Sequence, residues 1–172
     1  GAWPSSTINS FFEFPKVILE KVNPDRTEDP ITASGDFADW LKPMDERAFH
    51  AVHVDLGISG DACGFCLGHY AGTTDEGGAK VVIDLVMRLQ GTKDAPVQIS
   101  RIREYLYRLR DLKFNIMLVT FDGFQSTDTM QILERKNFNV EYLSVDKGLL
   151  AYENLKQAIH EGRVDYYCAS SQ

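Results

Sequence analysis

The chain has 172 residues, a net charge of −7, 44% hydrophobic and 25% charged residues, which suits one water-soluble globular domain with a sizeable core. No apolar run approaches the roughly 20 residues of a membrane-crossing helix, so no membrane span is expected. The acidic balance weighs against a free-standing nucleic-acid binder, which is usually basic.

Residues 1–48 hold five of the six prolines, at positions 4, 15, 24, 30 and 43. Proline forbids long helices and central strands, so this stretch is expected to be an irregular N-terminal arm. Its opening, Gly1-Ala2-Trp3-Pro4, lacks the basic and apolar segments of a secretory signal. From His50 the pattern sharpens. Ala51 to Gly57 is a β-rich run closed by Gly57, Ser59 and Gly60. Ala62 to Ala71 is a second, glycine-rich run. A turn through Thr73 to Gly78 leads to a third run, Lys80 to Met87. Connections this short predict an antiparallel three-stranded meander.

The period then changes. In Val97 to Lys113, Ile102, Leu106 and Leu109 recur at helical spacing among basic residues. Asn115 to Phe121 is a near-continuous apolar run, which predicts a strand buried on both faces and ended by Asp122-Gly123. A helix opened by Ser126 or Thr127 and stopping near Asn137 follows, then a strand over Val140–Val145. A helix over Leu149–His160 is closed by Gly162, and a last strand runs from Val164 to Tyr167. Helical crossovers between strands predict parallel pairing in this half. The class is therefore α/β, with a mixed sheet: a three-stranded antiparallel meander followed by parallel strands with crossover helices. The domain is expected to occupy residues 49–172.

Asp55 lies near the end of the first strand, and Asp122 at the end of the buried one. Ligands of open α/β sheets gather at the carboxyl ends of parallel strands. If these two strands are parallel neighbours, the carboxylates stand side by side and repel each other unless a cation lies between them. Oxygen donors suit Mg²⁺ or Mn²⁺, and two such ions stabilise the attacking and leaving oxygens in phosphodiester cleavage. The plainer alternative is that each aspartate ends a strand and starts a turn. Asp61 lies across a Gly/Ser turn from Asp55, within reach of the same ion or else an ordinary turn residue. Asp84 interrupts an apolar strand, which is costly for an unpaired charge; it is either a further acidic residue of the site or, by a slight preference, faces solvent on a sheet edge. Asp146 reads as a cap.

Cys63 and Cys66 form a C-x-x-C, with His53 and His69 close in sequence. Residues three apart on a strand point to opposite faces, so a shared zinc site is not expected there. With Cys168 they make three cysteines, an odd and low count that fits a reducing compartment and a cytoplasmic location. Arg101, Arg103, Arg108, Arg110 and Lys113 form the densest basic stretch. It is either a solvated helix face or, through Arg101 and Arg108, a DNA contact. No G-x-x-x-x-G-K-[ST] phosphate loop and no G-x-S-x-G elbow occurs.

The stretch His53-Val54-Asp55-Leu56-Gly57-Ile58-Ser59-Gly60-Asp61 resembles the first acidic motif of the nuclease domain in large terminase subunits of tailed bacteriophages. Phe121-Asp122-Gly123-Phe124-Gln125-Ser126 resembles its second acidic motif. Ser144 to Lys147, Tyr152 to Lys156 and Glu161 to Arg163 are similar to the downstream part, so the likeness spans about residues 50–167. The resemblance implies a ribonuclease H-like fold and a two-metal endonuclease that cuts concatemeric viral DNA during genome packaging. It implies that Asp55 and Asp122 are catalytic metal carboxylates, with Asp61 auxiliary, holding two Mg²⁺ or Mn²⁺ ions. The implied partners are double-stranded DNA, the terminase ATPase domain, the small terminase subunit and the portal, in the host cell cytoplasm.

That family carries a third carboxylate on a helix after the last strand. The sequence stops at Ser170-Ser171-Gln172, and Asp165, inside the final strand, is a poor substitute. The expectation is a nuclease domain truncated at its C-terminus. Two alternatives remain: another ribonuclease H-like nuclease of the resolvase or transposase type, or a catalytically incomplete relic or assembly module.

Overall fold

The structure is a computed structural model that describes residues 31–32, 34–56, 62–91, 94, 97–122, 127–144 and 148–166. In chain order the elements are β1 (His50–Leu56), β2 (Ala62–Thr73), β3 (Ala79–Gln90), α1 (Ile99–Asp111), β4 (Ile116–Asp122), α2 (Thr127–Arg135), β5 (Val140–Tyr142), α3 (Leu150–His160) and β6 (Val164–Tyr166). They build one six-stranded sheet in the order β5-β4-β1-β2-β3-β6. The β1–β2 and β2–β3 pairs are antiparallel. The β1–β4, β4–β5 and β3–β6 pairs are parallel. The meander followed by parallel strands is thus the α/β mixed-sheet architecture the sequence predicts. Asp122 is the last residue of β4, at the end of the buried strand as expected. β5 is shorter than the expected Val140–Val145 strand, and β6 joins the far edge, parallel to β3.

Side chains alternate across a strand, so one face of the sheet gathers every second residue. Val52 and Val54 of β1, Cys63, Phe65 and Leu67 of β2, Leu85 and Met87 of β3, and Val119 and Phe121 of β4 are buried together. Helix α1 covers this face with Ile102, Tyr105, Leu106 and Leu109. Two left-handed residues close the covering helices. Lys113 (φ 74°) ends α1 and Asn137 (φ 63°) ends α2. The reversal lets Phe114 N–H donate to Leu109 O (3.1 Å) and Phe138 N–H donate to Leu133 O (3.0 Å), which turns both phenylalanines into the core. Within 31–48 the chain makes turns and an Ile31–Phe37 bridge, and Phe37 and Leu41 join the same core. By contrast α3 has no buried residue. No helix among the described residues is long and apolar enough to cross a membrane.

One expectation fails in β3. Asp84 does not face solvent on an edge; it is 3% exposed. The pairing steps from Leu67↔Leu85 to Gly68↔Ile83, so Asp84 is the extra residue of a β-bulge. A bulge breaks the alternation, so Asp84 and Leu85 are both buried although they are consecutive. β6 pairs with β3 at Val81, Val82 and Ile83, immediately before Asp84.

Candidate active site

The face of the sheet away from the core carries the acidic residues singled out by the sequence. β1 and β4 run parallel, and Asp55 and Asp122 are register partners, as are His53 and Thr120. Adjacent strands lie about 4.8 Å apart, so the two aspartates are nearest neighbours across the ladder. The His53–Thr120 contact confirms the shared face: His53 Nδ1 is 2.8 Å from Thr120 Oγ1. Period-two alternation then carries Asp55 and Asp122 onto the same face, at the carboxyl ends of both strands. Asp55 is exposed, whereas Asp122 is 9% exposed.

The row continues over the meander. Asp55 pairs with Gly64 of β2, and Gly64 pairs with Arg88 of β3. Directly opposed residues in antiparallel pairs project to the same side. The ladder therefore reads Asp122, Asp55, Gly64, Arg88: two acids, a gap and an exposed guanidinium. The gap matters because β2 offers small residues on this face, with Ala62, Gly64, Cys66 and Gly68 alternating with the buried Cys63, Phe65, Leu67 and His69. Beside Asp55 the sheet has a low floor that a bulky ligand can approach closely.

His53 has a defined state. The Thr120 hydroxyl donates to Val52 O (3.3 Å), so its oxygen accepts the proton on His53 Nδ1. Nε2 is then left with its lone pair, and it is buried without a hydrogen-bond partner among the described residues. Burial pushes the His53 pKa below its ordinary value, opposed by the nearby Asp122 and Asp55 charges. A neutral imidazole thus lies within the field of both carboxylates. The sequence pointed to His53 only beside the cysteines and in the first acidic motif, and not to Arg88 at all, because the place of both at this site depends on register across strands.

The other expected residues divide as follows. Asp61 and Asp146 lie outside the described residues. Cys63 and Cys66 fall on opposite faces, as their spacing requires, and both thiols are free. Burial pushes each of them up to about 11. Arg101 and Arg108 sit on α1, which covers the opposite face of the sheet. Arg101 reaches Gly35 O (3.1 Å) and Glu104 (3.5 Å), and Arg108 reaches Asp36 (3.3 Å). They line a cleft of about 350 Å³ that also holds Asp36, Glu104 and Asp111, so its charge is mixed. Arg103 donates to Thr129 Oγ1 and Arg110 to Lys136 O, while Arg110 also stacks on Phe138. This basic stretch largely ties α1 to its neighbours.

The large terminase of a thermophilic bacteriophage has a similar structure, with a TM-score of 0.54 at 16% identity, over 87% of this chain and 32% of that one. The fold is that of part of this large terminase. The large terminase nuclease of the thermophilic phage G20c is also similar, with a TM-score of 0.49 at 16% identity, over 73% of this chain and 62% of that one. The chain thus spans about a third of the first terminase and less than two thirds of the G20c nuclease. No protein-family model and no curated protein matches the sequence. At this identity the terminase likeness concerns the fold, and the chemistry has to be argued from the side chains.

Proposed function

We propose that this domain is a metal-dependent DNA endonuclease of the large-terminase type, acting on viral DNA during genome packaging. The observation that carries the reading is the register match of Asp55 with Asp122 at the carboxyl ends of two parallel strands. Paired carboxylates offering only oxygen donors fit a hard divalent cation, Mg²⁺ or Mn²⁺, and Asp55 and Asp122 would hold it. When bound, such ions neutralise phosphate charge and make water a stronger nucleophile. Asp61 is proposed as an auxiliary acidic group.

The chain's own residues have separable tasks in this reading. Thr120 holds His53 through Nδ1 and so fixes a neutral imidazole, its Nε2 lone pair buried, beside the two acids. The Gly64 floor admits the DNA backbone next to Asp55. Arg88, on the far side of that floor, pairs with a neighbouring phosphate. Arg101 and Arg108 are at most distal DNA contacts, being engaged with Gly35, Asp36 and Glu104 on the other face. An ATPase domain, a small terminase subunit and a portal would be the packaging partners.

The test is plasmid cleavage with Mn²⁺ or Mg²⁺, comparing the parent with Asp55→Asn. Cleavage is expected to need the metal and to fall by at least about 10³-fold in the variant, about 4 kcal/mol of barrier. Stability should change by less than about 0.5 kcal/mol, because Asp55 is exposed. Cleavage that survives both chelation and Asp55→Asn would falsify the reading.

A further inference from the structure

A second polar constellation lies on the core side of the sheet, at the other end of β1. His50 of β1, His69 of β2 and Asp84 at the β3 bulge are 0%, 5% and 3% exposed. Their potential ligand atoms all lie within 4.8 Å of one another. His69 Nδ1 is 2.6 Å from Asp84 Oδ2, and His50 Nε2 is 3.9 Å from the same oxygen. His50 is five residues before Asp55, about 16 Å along the strand, so this is a separate place from the paired aspartates.

The state of His50 is the telling feature. Its Nδ1 is 3.0 Å from Ala48 O, and a carbonyl only accepts, so Nδ1 carries a proton. The ring is fully buried, and no hydrogen bond holds a second proton on Nε2. A neutral ring protonated at Nδ1 has its lone pair on Nε2. That atom is fully buried, has no hydrogen-bond partner among the described residues, and looks across 3.9 Å at a carboxylate oxygen. Two electron-rich atoms facing each other inside a protein are unfavourable unless something positive lies between them. An imidazole whose far nitrogen donates to a backbone carbonyl is also how metal-ligating histidines are oriented.

We propose that His50 Nε2, His69 Nδ1 and Asp84 Oδ2 form a buried site for a divalent transition ion of the zinc class. Two imidazole nitrogens and one carboxylate oxygen suit zinc-like ions and not magnesium. Adjacent ligands of a tetrahedral ion with bonds of about 2.0–2.1 Å stand about 3.3 Å apart, and the contacts of 2.6 and 3.9 Å bracket that spacing. To ligate through Nδ1, His69 takes the tautomer with its proton on Nε2 and its lone pair on Nδ1. The packing of His50 against His69 (ring centroids 5.0 Å apart) and edge-on against Phe114 (5.3 Å) keeps the rings in place. Because the ligands come from three strands, the site forms only in the folded sheet, so ion affinity adds to folding free energy. The proposal is independent of the nuclease reading.

The experiment is calorimetric titration of the full chain, freed of metal by chelator, with Zn²⁺ in excess Mg²⁺. It is repeated with Co²⁺ to record the visible spectrum. One Zn²⁺ per chain is expected, unchanged in the Asp55→Asn/Asp122→Asn double variant. His50→Phe keeps the aromatic packing and removes the ligand, and its affinity should fall by at least about 100-fold. His69→Gln, which keeps a donor to Asp84, should lose affinity likewise, and circular dichroism establishes that each variant is folded. The Co²⁺ spectrum should show d–d bands without thiolate charge transfer. No ion bound by the folded parent, binding undiminished in a folded His50 or His69 variant, binding lost in the double aspartate variant, or a thiolate band would each overturn the proposal.

Discussion

The two faces of the sheet are built from alternate residues of the same four strands, yet they follow different rules. On the α1 side, Val52, Val54, Phe65, Leu67, Leu85, Val119 and Phe121 are nearly inaccessible to water. On the other side, one step along each strand, stand His53, Asp55, Gly64, Cys66, Thr120, Asp122 and Arg88. The first face holds the fold together through burial. The second keeps charges at the strand ends and small residues between them, and it contributes little to the core. Chemistry can therefore vary on one face while the other preserves the architecture.

The sharpest way to break this contrast is to truncate the core side. Phe65→Ala should cost about 3–5 kcal/mol in chemical unfolding, because Phe65 is 1% exposed and amid the core. Its chain neighbour Gly64 should behave oppositely. A Cβ there stands 3.6 Å from the Asp55 Cβ, an ordinary contact, so Gly64→Leu should fold. Its side chain would stand over the floor beside Asp55, and cleavage should drop about 10- to 100-fold while the thermal midpoint holds within a few degrees. Unfolding of Gly64→Leu instead of loss of activity would erase the distinction between the faces.

Arg88→Ala probes the same row more gently. DNA affinity should weaken less than about tenfold at low salt, and the log–log salt slope should become shallower by about 1, the mark of one lost phosphate contact. The smallest effect concerns Cys63 and Cys66, which straddle the sheet. Their thiols are held at about 11 against an ordinary 9.0, so the fold favours the neutral form. That stabilisation is present in full below about pH 9 and is lost as pH rises through about 11. The thermal midpoint should decline over that window, and alkylation of the half-buried Cys66 at neutral pH should be slow.

Much of this was legible in the sequence because it is written locally. The valine-rich run before Gly57, the helical spacing of Ile102, Leu106 and Leu109, and the apolar run ending at Asp122 each carry their own period. Adding the meander and the crossover rule brought Asp55 and Asp122 to one rim. What escaped depends on cross-strand register, which no local pattern encodes. His53 gains meaning only from Thr120, 67 positions away. Arg88 gains meaning only through Gly64. His69 was weighed only with His53 and the cysteines, and His50 carried no signal until the ladder placed it opposite His69. Asp84 was misjudged because an intact alternation was assumed through a strand that contains a bulge.

That bulge has a consequence for how the chain can be edited. The supernumerary residue of β3 is also the acidic one, with Ile83 and Leu85 already seated against successive residues of β2. Excising position 84 outright would let the ladder close over the gap without turning any remaining side chain to the other surface. A single codon deletion is thus a milder edit here than an inserted residue, which would slide the whole strand out of phase.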